Sequence, residues 1–456
     1  MPWIFVVIFI LIQGIFLLAY NPGLMYQDSF DQLKEARNFF FTDWHPLFST
    51  LYVYVFDKLF HSPIGISVAN ISIFVVFLGL LVNTFKNNTK LLPVILLFYC
   101  VMPVYYLFNI SLWKDVPYSY FFSISILFLY RLIIGHNKKD FLALLICILL
   151  VTLFRHNGIT VSIASIIAIF LLPKLTAKDK LSGVVVLLTS IVLIRVAMIA
   201  LLPGATTPIA INKSNFFVVL MSHMASLPHN GNKKLINELK VLSPVIAPDK
   251  LAASYHPGYI TTLLFTPSIG LDHNKVIANR TLIVKTFIKL FIRHPNLMIK
   301  SMLIHGSLVW SPTTLKGFGY YVVEPGGNVC TQDSRAYSLY KCDRYKAQNI
   351  NYINFVPGLS KNMDLFINKY ADIFFMRPVM YMLIIFFSVL LVDLRQKSKW
   401  RGIMIVILPL AAQIITMFFL AQAQDFRYHY GLVTIAPVFV LMMYGLSKKQ
   451  RPTTHR

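Results

Sequence analysis

The sequence predicts an all-α polytopic membrane protein of about ten transmembrane helices with an exoplasmic loop domain. Three observations predict it. Charged residues make up only 13% of the 456 while 57% are hydrophobic, and mean hydropathy is +0.65; a soluble domain carries about 25% charged residues. Apolar runs near the roughly 20 residues that cross a bilayer recur along most of the chain. Lysine and arginine collect in every second connection between those runs, the pattern of loops retained on the cytoplasmic side.

The runs lie at 3–20, 64–85, 91–108, 116–134, 141–154, 159–173, 181–202, 376–394, 402–421 and 429–446. The first (Trp3 to Tyr20) lacks a basic leader and a small-residue cleavage site, so it reads as a retained span. Basic residues mark the loops at Lys86/Lys90, Arg131/Lys138/Lys139, Lys174/Lys178/Lys180 and Arg395/Lys397/Lys399/Arg401, and the tail from Lys448 to Arg456. The expectation is an integral, multi-pass protein of a bacterial cell membrane with both termini cytoplasmic. Segments 21–63, 109–115, 155–158, 203–375 and 422–428 then fall on the exoplasmic side. The chain divides into an N-terminal bundle (1–202) with a first exoplasmic loop (21–63), an exoplasmic loop domain (203–375), and C-terminal helices with a cytoplasmic tail (376–456).

The formal charge of +24 does not point to nucleic acid. The basic residues are scattered through short loops, which fits topology and attraction to anionic lipid. Cys100 and Cys147 sit in apolar runs as packing residues, whereas Cys330 and Cys342, in the long exoplasmic loop, are a disulfide candidate. Within the first exoplasmic loop a helix is expected over Gln32–Phe41, and Leu47–Phe60 as an apolar stretch along the interface. In the long loop, Val276–Arg293 reads as a basic amphipathic helix suited to the interface plane. Pro295 ends it, Leu297–Trp310 forms a second apolar helix, and Gly317, Gly319, Pro325, Gly326 and Gly327 signal turns.

Five polar clusters interrupt the apolar chain: Asp28/Asp31 with Asp43–Pro46, Lys114-Asp115, Arg155–Gly158, a long basic loop after Pro203, and Asp425–Tyr428; the alternation places all of them on the exoplasmic side. Ionisable groups in or beside membrane spans are expensive, so a cluster on one face suggests a functional site. Asp28 and Asp31, three apart, would share a helix face just beyond the first span; a carboxylate there serves as a base, a metal ligand or a helix cap. Asp43, Trp44 and His45 join an acid, an aromatic face for a sugar ring and an imidazole. Lys114 offers a phosphate contact with Asp115 to orient it, or a snorkelling cation beside a capping acid. Arg155, His156 and Asn157 separate two spans with almost no spacer and suit an anion, and Gly158 allows the tight reversal. Asp425, Arg427 and Tyr428 add a further guanidinium with a neighbouring carboxylate. A GxxxxGK[ST] loop, HExxH, GxSxG and CxxC are all lacking.

The exoplasmic loop carrying Asp28 and the stretch Asp43-Trp44-His45-Pro46-Leu47 resemble the GT-C superfamily of polytopic membrane glycosyltransferases, in its protein-mannosyltransferase and aminoarabinose-transferase-like branches. The break at Arg293-His294-Pro295 and the Trp310-Ser311-Pro312 turn are similar to that superfamily's interface helices. Leu47 stands where the related run has a second proline, and Ser29 follows Asp28 where the protein-mannosyltransferase loop pairs Asp with Glu. The resemblance implies transfer of a sugar from a polyprenyl-phosphate carrier to an exoplasmic acceptor, with inversion at the anomeric centre. Asp28 would be the general base, and Lys114, Arg155 and Arg427 would bind the lipid phosphate. Membrane lipids are the other expected partner. A divalent metal stays open, with Asp28, Asp31 and His45 as its ligands. The alternative reading is a transporter or flippase of an anionic lipid-linked envelope intermediate.

Overall fold

The computed structural model describes residues 2–86, 90–135, 137–205, 210–230, 233–256, 263–264, 269–312, 350, 353–370, 377–390, 392, 397–420 and 425–448. Its described residues are helical, with no strand among them. They form two compact units: Met1–Thr206 with Val323–Gln413 and Arg427–Arg456, and Thr207–Val322 with Ile414–Phe426.

The first unit begins with α1 (Pro2–Ala19), α2 (Gln27–Arg37), α3 (Leu47–Phe60), α4 (Ile64–Phe85), α5 (Leu92–Val101) and α6 (Pro103–Asn109). It continues with α7 (Asp115–Ile134), α8 (Lys138–Phe154), α9 (Gly158–Leu171) and α10 (Ala177–Leu201). Each of the ten apolar runs contains a helix, but among the described residues six stretches are long and apolar enough to cross a membrane: α1, α4, α7, α10, Lys399–Phe419 and Phe426–Ser447. A seventh is the pair α5 and α6, bent by 63°. The cause is Pro103, which holds Met102 extended at ψ 113° and forbids a continuous helix. The 14-residue α9 is apolar but shorter. A Cβ at Gly158 would stand 2.1 Å from the Val151 carbonyl oxygen, so glycine there lets α8 and α9 close tightly.

The helix in the first loop begins and ends earlier than expected, at Gln27–Arg37 rather than Gln32–Phe41. Its apolar side (Phe30, Leu33, Ala36) packs with Val53 of α3. Arg37 grips Asp57 of α3 through two 2.8 Å contacts, and Gln32 donates to Ser49 at 2.7 Å. Basic residues gather at the end of the unit where α7 finishes. Arg131 pairs with Asp140, while Lys174 donates to the Ile134 carbonyl, Lys180 to Phe170 and Arg401 to Leu171. Those oxygens lie in the last turns of α7 and α9, where carbonyls lack intrahelical donors and cations complement the helix dipole.

The chain returns to this unit with α17 (Pro357–Tyr370), α18 (Pro378–Leu390), the first part of α19 (Lys397–Leu420) and α20 (Tyr430–Lys448). The core is aromatic and internally hydrogen-bonded. Phe9 packs against Phe74 and Tyr106 at ring separations of 4.9 Å, and Phe108 stacks on Tyr430 at 4.2 Å. Gln13, Asn109, Tyr120 and Tyr430 form a buried chain of hydrogen bonds between α1, α6, α7 and α20. Pro437 lies inside α20 and cannot donate to the carbonyl four residues earlier, that of Val433. Tyr105 supplies the missing donor at 3.0 Å, and Tyr99 bonds the next carbonyl, Thr434, at 2.6 Å.

In the second unit α11 (Ala210–Asn230) is followed by a 3₁₀ segment (Lys233–Leu242), α12 (Pro248–Ala253), α13 (His273–Ala278) and α14 (Arg280–Arg293). Then come α15 (Pro295–His305) and α16 (Ser307–Trp310). The expected basic helix over Val276–Arg293 is thus broken at Asn279, and the expected apolar helix over Leu297–Trp310 is broken at Gly306. Asp272 caps α13 by accepting from the Asn274 amide at 2.9 Å, fixing that start independently. Met221, Met224, Leu239, Leu251, Ile283 and Met298 share the core of this unit. Cys330, Cys342 and the expected turn segment Gly317–Gly327 lie outside the described residues.

Removing the Tyr105 hydroxyl leaves the Val433 carbonyl buried without a donor. Tyr105→Phe is expected to destabilise the protein by about 1–3 kcal/mol, read as a fall in unfolding temperature in detergent. Pro437→Ala in the same background restores most of it, because the new amide reaches Val433.

Candidate functional site

The end of the first unit opposite the basic loops collects most of the polar clusters. The chain leaving α1 is pinned to the chain entering α7: Leu24 donates to Ile110 at 2.7 Å, and Leu112 donates to Leu24 at 3.0 Å. Gly23, at φ +134°, lies where a Cβ would meet Ser67 Oγ at 2.6 Å and Ile110 O at 2.7 Å. This seam brings Asp28 beside Lys114 and Asp115.

Asp115 is fully buried, its side chain 1% exposed. Arg155 Nη1 stands 2.6 Å from one carboxylate oxygen and Arg427 Nε 3.9 Å from the other. Arg427 also reaches Asp28, Nη1 to Oδ2 at 2.8 Å, and the Asp28 side chain is 35% exposed. Asp28, Arg427, Asp115 and Arg155 therefore form one alternating row drawn from α2, the turn before α20, α7 and the α8–α9 turn. The Tyr428 ring lies between the two guanidiniums, 4.9 Å from Arg155 and 5.2 Å from Arg427. It is held by Gln413, which donates to its carbonyl and accepts from Tyr118. Trp113 lies under Arg427 at 5.3 Å and stacks on Tyr26 at 4.2 Å.

Two capping alternatives fail. The N-cap of α2 is Tyr26, without a side-chain cap, and Asp28 in its first turn pairs with Arg427. Asp115 opens α7 but turns to Arg155 rather than capping the helix. Nor is Lys114 hydrogen-bonded to Asp115: its Nζ lies 2.9 Å from His45 Nδ1. An ammonium only donates, so Nδ1 accepts and the imidazole proton sits on Nε2. That nitrogen is buried and has no hydrogen-bond partner among the described residues, as is also true of Trp113 Nε1.

Burial alone would raise the Asp28 pKa, but Arg427 and Lys114 outweigh it and hold the carboxyl well below the usual range. Burial lowers Lys114 to about 8, with Arg427 and Arg155 adding to the fall and Asp28 and Asp115 opposing it. Burial and then Lys114 push His45 well below its ordinary value, so it is neutral at pH 7. With Lys114 charged, three cations stand against the carboxylates of Asp28 and Asp115, and Glu35 also interacts with Lys114.

The remaining sequence candidates lie around this row. Asp43 and His156 approach at 3.9 Å, both about half exposed; burial lowers the His156 pKa while Asp43 opposes the shift. Trp44 sets its ring edge-on to His45 at 6.4 Å. Asn157 starts α9 without a side-chain cap. Asp31 is on the exposed side of α2, and Asp425 is buried in the second unit. Among the described residues no three His, Cys, Asp or Glu side chains converge on a metal position, so Asp28, Asp31 and His45 do not assemble as a ligand set. Sequence reasoning passed over Trp113, Tyr26 and Tyr118; the one signal was Trp113 immediately before Lys114-Asp115. No family model, curated protein or solved structure matches this chain.

Asp115→Asn leaves Arg155 buried opposite a neutral amide and is expected to cost about 3–5 kcal/mol, measured by thermal unfolding. Lys114 loses its charge above about pH 8, so affinity for an anionic ligand should fall as pH rises through that value. Lys114→Arg moves the falling limb to higher pH; an unmoved limb in a titration of binding against pH assigns it to another group.

Proposed function

We propose that this chain is a membrane glycosyltransferase that moves a sugar from a polyprenyl-phosphate carrier to an acceptor hydroxyl on the exoplasmic side. The observation that carries the reading is Asp28: a solvent-reachable carboxylate set among Arg427, Lys114 and the unpartnered Nε2–H of His45. In this reading the helices of the first unit supply about ten spans with both termini cytoplasmic. The basic residues that hold the last carbonyls of α7 and α9 then face the cytoplasm, and the Asp28 row faces outward. In the second unit, Ile288 and Ile292 of α14 are exposed beside Lys285 and Lys289, a face suited to anionic lipid.

The chemistry follows from the charges. Asp28 takes the proton of the acceptor hydroxyl, whose oxygen attacks the anomeric carbon. The bond from that carbon to the carrier's phosphate oxygen breaks, and the lipid phosphate leaves as an anion. Arg427, Lys114 and His45 Nε2–H are preorganised donors for the developing charge, the arrangement that lowers such barriers most. One carboxylate acting in a single displacement inverts the anomeric centre. Trp44 offers the sugar an aromatic face.

The test is transfer by purified protein offered a panel of polyprenyl-phosphate sugars, with and without EDTA. Release of polyprenyl phosphate from one donor is expected, and Asp28→Asn should lower turnover by about 10²–10⁴-fold, the usual worth of a general base, with expression intact. Absence of release from every donor, by protein that binds the lipid, overturns the reading; lipid movement across vesicles without a new glycosidic bond would mark a transporter instead.

A further inference from the structure

We propose that Arg427 is an exchangeable partner: the phosphate of the donor takes it from Asp28, and only that exchange frees Asp28 to act as a base. The proposal rests on the lipid-phosphate reading above and adds an order of events to it. Three features of the row point to the exchange.

The first is access. Asp115 and Arg155 close on each other at 2.6 Å with side chains 1% and 9% exposed, whereas Asp28 in its 2.8 Å pair with Arg427 is 35% exposed. An incoming anion meets the Asp28–Arg427 pair before it meets the sealed one. The second is anchorage. Arg427 keeps its place without Asp28, because its Nε faces Asp115 Oδ2 at 3.9 Å and its guanidinium lies over Trp113 and Tyr428. Loss of one partner therefore does not release the arginine. The third is a landing place beside the pair. Lys114, tethered to His45, leaves ammonium protons for an oxygen, and His45 Nε2–H is buried without a partner among the described residues.

A phosphate suits the guanidinium fork better than a single carboxylate contact, since it accepts two parallel hydrogen bonds and carries more charge. Once the phosphate holds Arg427, Asp28 has lost its cation and faces an anion, and both changes raise its affinity for a proton. A carboxylate clamped by a guanidinium is a poor base; the same carboxylate beside a bound phosphate is a better one. Donor binding thus switches on proton abstraction, and the empty site holds its base in an ion pair.

The experiment is a double-mutant cycle on binding, without turnover. Affinity for farnesyl phosphate, with farnesol as the uncharged control, is measured by calorimetry for wild type, Asp28→Asn, Arg427→Gln and the double variant. If Asp28 and the phosphate compete for Arg427, Asp28→Asn binds farnesyl phosphate about tenfold more tightly while farnesol is unaffected. In the Arg427→Gln background the same change should alter affinity by no more than about twofold. Equal strengthening in both backgrounds means plain charge repulsion and overturns the exchange. So does unchanged or weaker binding by Asp28→Asn, and in either case the lipid-phosphate reading stands. Failure of all folded variants, wild type included, to bind farnesyl phosphate overturns that reading as well. Should Arg427→Gln not fold, wild-type binding measured against pH decides. The exchange requires affinity to climb more steeply on acidification in wild type than in Asp28→Asn, and equal slopes sink it.

Discussion

The Asp115 carboxylate is the constraint on which the functional end of the first unit depends. A charge with 1% of its side chain exposed persists only if cations meet it, because taking an ion out of water costs several kcal/mol that pairing must offset. Arg155 and Arg427 meet it from opposite sides. They come from the α8–α9 turn and from the turn before α20, so one carboxylate fixes three distant parts of the chain at a common point. The second arginine then has a hand left over for Asp28. Without Asp115, Arg155 would lose the carboxylate it faces, and Arg427 would keep only Asp28 and its aromatic contacts.

The same accounting of buried polar groups runs through the rest of the unit. Breaks in regular structure are matched by donors from neighbours: Tyr105 and Tyr99 serve the carbonyls freed near Pro437, and basic side chains serve those ending α7 and α9. In an apolar surrounding an unserved carbonyl is costly, so tyrosine is used where its ring packs and its hydroxyl reaches. Two of the exceptions lie at the functional end. His45 Nε2 and Trp113 Nε1 are buried donors without partners among the described residues, and both lie beside the one accessible carboxylate of the row.

How much of this was legible in the sequence differs by level. The helical class and the one-ended gathering of Asp28, Lys114, Asp115, Arg155 and Arg427 follow from hydropathy and from which loops carry lysine and arginine, both local signals. Pairing partners were not legible. Asp115 adjoins Lys114 in sequence yet serves Arg155, and Arg427 reaches back to Asp28 across nearly the whole chain. Spacing cannot reveal such contacts, since tertiary packing sets them. α2 starts five residues before the expected Gln32, so Asp28 sits inside its first turn and its charge is used sideways, towards Arg427. The bends at Met102–Pro103, Asn279 and Gly306 turn on single residues within otherwise continuous apolar or amphipathic runs, where periodicity favours an unbroken helix.

A site built from opposed charges must choose between rigidity and reactivity, and this row divides the two among its members. The sealed pair of Asp115 and Arg155 fixes position and has no room for a ligand. The open pair of Asp28 and Arg427 lies at the edge, where a carboxylate is of chemical use only when its cation has another partner. Lys114 sits between these regimes: burial has brought its pKa to about 8, so its charge is retained at neutral pH but held at a cost that a bound anion would relieve. Three cations stand against the two carboxylates of the row, an excess that an added negative charge would offset. That physical requirement, more than any motif, is what supports the proposal of an anionic leaving group at this end of the bundle.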